Sequence, residues 1–158
     1  MKHTISVLVN NQPGVLQRVA GLFGRRGFNI ESITVGASEE PGLSRMVIVT
    51  TGDEKVLEQV QKQLYKLIDV IKVVDLSSFP MVSRELALIK VNAEPSARPE
   101  LFAVVDTFRA SVVDISPTTV ILQVSGDTQK IDAMIELMKP YGILQIARTG
   151  VTAMTRGA

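Results

Sequence analysis

Hydrophobic positions along this chain change period several times, and each change marks an element. Thr4 to Asn10 alternates around Ile5, Val7 and Val9, the pattern of a strand with one buried face. After Pro13-Gly14 the spacing becomes helical: Val15, Leu16, Val19, Ala20, Leu22 and Phe23 share one face. Pro13 suits the first helical position, where its missing N–H costs nothing. Arg25 and Arg26 favour the helix C-terminus and Gly27 supplies a left-handed stop. Asn29 to Ala37 and Arg45 to Thr51 then read as strands, separated by a Glu39-Glu40-Pro41-Gly42 loop. Gly52-Asp53 opens a second helix with Val56, Val60, Leu64 and Leu67 on one face, and Val70 to Leu76 follows as a strand.

The order βαββαβ is that of a ferredoxin-like sandwich, two helices covering one face of an antiparallel sheet. Such a sheet is expected to leave one open face and two edges, and both invite a partner. Ser77 to Arg84, SSFPMVSR, reads as a linker. Beyond it the pattern repeats. Glu85 to Val91 predicts a strand, Pro99 to Arg109 a helix, and Ser111–Ile115 with Thr119–Ser125 a hairpin around Ser116-Pro117. Gly126-Asp127 mirrors Gly52-Asp53 and opens a helix carrying Ile131, Met134, Ile135 and Met138; Gly142 to Arg148 predicts a last strand. The expected fold is α+β: two ferredoxin-like βαββαβ sandwiches in tandem, over residues 1–76 and 85–158, with 77–84 between them. The tail TGVTAMTRG suits either a frayed end or a docking segment.

Composition narrows the function. The 158 residues carry a formal net charge of +1, far from the basic footprint of a nucleic-acid binder. The seven aromatics fall mostly on helices or their flanks and do not make the strand-borne stacking pair of an RNA-binding sheet. Without cysteine there is neither a disulfide framework nor a thiolate metal site, and a single histidine, His3, removes most catalytic and metal-binding schemes. No run approaches the roughly 20 apolar residues of a membrane span, and the opening residues lack the apolar core of a signal peptide. A cytoplasmic protein is expected.

The chemistry that remains lies in the turn from Asn11 to Leu16. A strand-to-helix turn leaves backbone N–H groups without helical partners, here those of Gly14, Val15 and Leu16, and the positive helix end favours a carboxylate. Asn10 and Asn11 offer side-chain oxygens to a ligand amine. The same residues make an ordinary helix start with asparagine caps, and the sequence leaves both readings open. Asn29 and Ile30 could face a second copy's turn, one as polar handle and one as apolar wall. The second half has Glu94-Pro95-Ser96-Ala97-Arg98-Pro99 where the first has its Pro-Gly turn, so the two halves should differ in task.

These residues also carry a resemblance. Asn11-x-x-Gly14-x-Leu16-x-Arg18, Gly21-Leu22-Phe23, Arg26-Gly27-x-Asn29-Ile30-Glu31-Ser32, Leu43-Ser44-Arg45-Met46 and Gly52-Asp53 resemble the regulatory small subunits of acetolactate synthase, also called acetohydroxyacid synthase. The resemblance extends through Ile115-x-Pro117 to Ala147-Arg148-x-Gly150-Val151. It implies that the first sandwich is an ACT domain that dimerises and binds a branched-chain amino acid, usually valine, at its interface. It implies effector contacts at Asn11, Gly14, Val15 and Leu16 of one chain and Asn29 and Ile30 of the other. It further implies a catalytic large subunit as partner, and that subunit would hold thiamine diphosphate, magnesium and FAD. This chain would have no catalytic residues of its own; it would activate the large subunit and confer feedback inhibition by valine. Two rivals stand beside this: a stand-alone amino-acid sensor acting on another enzyme or on transcription, and a small ferredoxin-like enzyme using His3 or an Arg/Asn pair.

Overall fold

The computed structural model describes residues 1–157. It divides into two compact units, one formed by Met1–Val82 with the chain from Val151 onward, the other by Ser83–Gly150.

The first unit runs β1 (Lys2–Asn10), α1 (Val15–Arg26), β2 (Asn29–Ala37), β3 (Leu43–Thr51), α2 (Glu54–Tyr65) and β4 (Val70–Asp75). Its antiparallel strands lie in the order β2-β3-β1-β4. The alternation read from β1 is real: Ile5, Val7 and Val9 are buried with Met46 and Ile48 of β3 against Val19 and Phe23 of α1 and Val60 and Leu64 of α2. Phe23 meets Phe28 edge to face, ring centroids 6.0 Å apart. Gly27 stops α1 in the left-handed conformation at φ 69°, and the Phe28 N–H closes onto the Phe23 carbonyl at 2.9 Å. Asp53 caps α2 by accepting the Val56 N–H at 2.9 Å.

The sheet's other face is not left open as the sequence suggests. Thr34, Val47, Ser6 and Val74 form a row across it. Over that row lies the end of the chain, where Val151 and Ala153 pack with Val47, Val74, Leu76 and Met81. The tail residues Thr152–Thr155 form a strand, β9, paired with β5 (Met81–Asn92). The Arg156 N–H reaches the Pro80 carbonyl at 2.9 Å, and the Thr34 hydroxyl donates to the Val151 carbonyl at 3.2 Å. The expected linker is correspondingly shorter: after a 3-10 turn at Leu76–Ser78, β5 already begins at Met81. Of the two roles open to the tail, docking is the one observed, and it docks on the first unit.

The second unit repeats the plan with the rest of β5, α3 (Arg98–Thr107), β6 (Ser111–Ile115), β7 (Thr119–Gly126), α4 (Thr128–Met138) and β8 (Ile143–Arg148), in the strand order β6-β7-β5-β8. Its core holds Ala87, Ile89, Val91, Leu101, Val105, Leu122, Ile131 and Met134. Asp127 caps α4 through the Lys130 N–H at 2.9 Å, as Asp53 caps α2. Where β5 and β8 meet, Glu85, only 5% exposed, is gripped by Arg148, whose Nη2 lies 3.1 Å from Oε2. Arg148 Nη1 also reaches Asp132 of α4 at 3.0 Å. The hydrogen bond to Glu85 holds the Arg148 proton above the usual guanidinium range; burial opposes it less strongly, and the hydrogen bond to Asp132 adds a smaller lift.

Candidate functional site

The turn joining β1 to α1 is built by backbone hydrogen bonds reaching two distant loops. The Asn10 N–H donates to the Asp69 carbonyl and the Asn11 N–H to the Gly42 carbonyl, each at 2.9 Å. Gln12 N–H turns back to Asn10 at 3.0 Å, and Gly14 takes φ 85°, ψ −3°, the left-handed region that glycine occupies without cost. Helix α1 then starts at Val15, two residues after Pro13, so the proline shapes the turn and does not occupy the first helical position.

No side chain caps this helix, in contrast to the aspartates of α2 and α4. Val15 N–H is engaged, at 3.3 Å from the Gln12 carbonyl, which corrects the expectation that it is free. Among the described residues, the N–H groups of Gly14, Leu16 and Gln17 find no acceptor. Three donors at a positive helix end remain available to an anion, Gln17 taking the place that Val15 was expected to hold.

Sequence spacing did not reveal the charge beside them. Arg18, one turn along α1, folds back so that its Nη1 lies 3.0 Å from where a Cβ on Gly14 would stand. Its Nε and Nη2 are fixed on Asp69 Oδ2 at 2.9 and 2.6 Å. Asp69 is the residue whose carbonyl also holds Asn10, so one loop residue fixes the strand end through its backbone and the guanidinium through its side chain. The turn therefore offers three amide protons and a third guanidinium nitrogen that Asp69 does not occupy. Leu16 is 46% exposed beside it and Val15 is buried beneath.

Of the six residues proposed for the effector, one chain brings four together. Asn11, Gly14, Val15 and Leu16 lie in this turn, Asn11 exposed with its side chain unengaged. Asn29 and Ile30 lie at the sheet's other end: Asn29 pairs with Thr51 and Thr51 with Lys2, whereas Asn10 pairs with Leu43. A nine-residue strand separates the two groups, about 25 Å at the usual rise. Asn29 Nδ2 donates to Thr51 Oγ1 at 3.0 Å, and Ile30 rests half-buried on the core.

The other candidates have structural partners. His3 is 3% exposed with Nε2 3.1 Å from the Gly52 carbonyl, enclosed in the sheet. Arg26 Nη2 donates to Gln63 Oε1 at 3.0 Å. No group of three or more His, Cys, Asp or Glu among the described residues could hold a metal. No helix among them is long and apolar enough to cross a membrane.

Two family models match the chain. Residues 5–72 match the acetohydroxyacid synthase small subunit-like ACT domain, and residues 84–157 match the small subunit of acetolactate synthase. A probable acetolactate synthase small subunit from Methanothermobacter thermautotrophicus is 57% identical over 157 residues, covering 99% of this chain and 94% of that one. The acetolactate synthase small subunit of Bacillus subtilis is 52% identical over 158 residues, covering 99% and 92%. The crystal structure of the acetolactate synthase small subunit from Thermotoga maritima superimposes with a TM-score of 0.93 at 47% identity, covering 100% of this chain and 99% of that one.

Proposed function

The chain belongs to the acetolactate synthase small-subunit family, and on that premise we propose that it is a feedback regulator. It activates a separate catalytic large subunit, and valine or a related branched-chain amino acid, held between two first units, lowers that activity. The supporting observation is the uncapped turn at Gly14, with free amide protons under a guanidinium that an aspartate holds in place. Such a site suits a carboxylate that is bound and not transformed.

The distance between the two halves of the site fits a paired assembly. β2 is an edge strand whose last residues, Val35, Gly36 and Ala37, are exposed. If two β2 strands pair antiparallel about a two-fold axis, each start lies beside the other's end. Ala37 pairs with Ser44 and Ser44 with Val9, so that end of the sheet is the one bearing the Gly14 turn. The partner's Asn29 and Ile30 then stand opposite Asn11 and Leu16, supplying the amide and the apolar wall for the effector. The first unit senses and the second transmits. Thiamine diphosphate, magnesium and FAD belong to the large subunit, and the complex works in the cytoplasm.

Regulation requires that valine prefer one arrangement of the complex, and a coupling of about 1–3 kcal/mol is typical. By reciprocity, if valine weakens productive assembly, the large subunit weakens valine binding by the same factor. The test is titration calorimetry of the chain with valine, leucine and isoleucine, followed by Gly14→Asp. Aspartate tolerates the left-handed backbone better than most residues, so the turn survives. Its carboxylate would occupy Arg18 and repel the ligand's, and feedback should vanish while activation of the large subunit persists. Silence with all three amino acids, or valine inhibition that survives in Gly14→Asp, would remove this reading.

A further inference from the structure

The tail is fastened on both sides of one glycine. Before Gly150, Thr149 exchanges hydrogen bonds with Leu86, N–H to carbonyl at 3.0 Å and Leu86 N–H to its hydroxyl at 3.0 Å, while Arg148 grips Glu85. After it, the Val151 carbonyl accepts the Thr34 hydroxyl at 3.2 Å. Gly150 itself sits at φ 82°, a conformation other residues resist, and it is where the chain leaves the second unit.

Thr34 is on β2, the strand that also carries Asn29 and Ile30. Between those residues and Thr34 the β2–β3 register shifts, at Ile30 to Ser32, so the strand's start is set off from its middle by a bulge. The tail beyond Val151 is thinly held. β9 has four residues, of which only Ala153 is buried, and Thr152, Met154 and Thr155 are exposed. A segment with so little buried area can leave its seat at small cost and belongs to the low-stability end of a fold.

We infer that residues 151–156 are a tether through which β2 reports effector occupancy to the second unit, an inference that rests on the effector site proposed above. Two populations of the tail, seated with Val151 held by Thr34 and released with that bond broken, are the element the effector biases. When a ligand draws the start of β2 toward a partner's turn, the displacement passes along the strand to Thr34. Thr34 then shifts its hold on Val151, the first residue beyond the Gly150 turn. A tail that only covered apolar surface would not respond to the ligand.

The chain has no cysteine, so Ala153→Cys places one thiol beneath the seated tail and its reaction with a disulfide reagent reads release. The full chain is labelled with and without valine, at concentrations where calorimetry shows binding. Valine should change the labelling rate by about five-fold or more, the lower end of ordinary allosteric coupling. Adding Thr34→Val, which keeps the branched shape and removes the donor, should make labelling fast and indifferent to valine while valine still binds. Amide exchange at residues 152–155 of the unaltered chain gives the same reading without a substitution. Valine that binds and leaves both rates unchanged overturns the tether while the effector site stands. Absence of heat with every branched-chain amino acid overturns the effector site, and the tether with it.

Discussion

Ser32 carries the only buried side-chain oxygen among the described residues that finds no hydrogen-bond partner. An unpaired buried hydroxyl has lost its water for nothing, so Ser32→Ala should stabilise the chain by about 1 kcal/mol, read as a higher urea midpoint at constant slope. Other single residues were legible for local reasons. Pro13-Gly14 and Arg25-Arg26-Gly27 announce a turn and a helix end through backbone rules acting within a few positions. The Arg18–Asp69 pair was not legible, because its partners are 51 positions apart and no local rule joins them. Asp69→Asn should loosen Arg18 over Gly14. Effector affinity should fall several-fold in calorimetry while thermal stability changes by about 1 kcal/mol, since the Arg18 side chain stays 48% exposed.

At the scale of elements, both halves use the same start signal for their second helix. Asp127→Ala removes the cap of α4 and should cost about 1 kcal/mol, as caps of this kind do. The clamp between β5 and β8 is worth more. Arg148→Met strands the buried Glu85 carboxylate and should cost about 2 kcal/mol, below the figure for fully buried pairs because Arg148 stays one-third exposed. Its folded proton affinity is raised, so the contribution is fully present below the unfolded guanidinium value and is lost only as pH rises through the folded one. The Arg148 share of stability should therefore stay flat into strong alkali in denaturation curves. Strands and helices emerged from the sequence because each satisfies its own period. β9 did not, because Thr-Ala-Met-Thr has little pattern of its own and becomes a strand only by pairing with β5.

For the whole molecule, the sequence foretells the repeat of two similar sandwiches and misses how the chain is shared between them. The family model over residues 84–157 takes in the tail, yet the fold assigns the chain from Val151 onward to the first unit. A chain ending at Gly150 should accordingly weaken the first unit, by about 1 kcal/mol for the small apolar area uncovered at Val47, Leu76 and Met81. Amide exchange should show that loss in β1, β3 and the start of β5, which loses β9 as its partner, more than in β7. The same seat has a consequence for how the protein is made. On the ribosome, the first sheet is assembled from residues 2–75 while the face bearing Val47 and Val74 must wait for residues synthesised after the second unit. That face stays exposed through translation of the second unit. Hybrids that join the first half of one homologue to the second half of another would hand that face a foreign strand, so their yield should depend on whether the borrowed tail matches Val47, Val74 and Leu76.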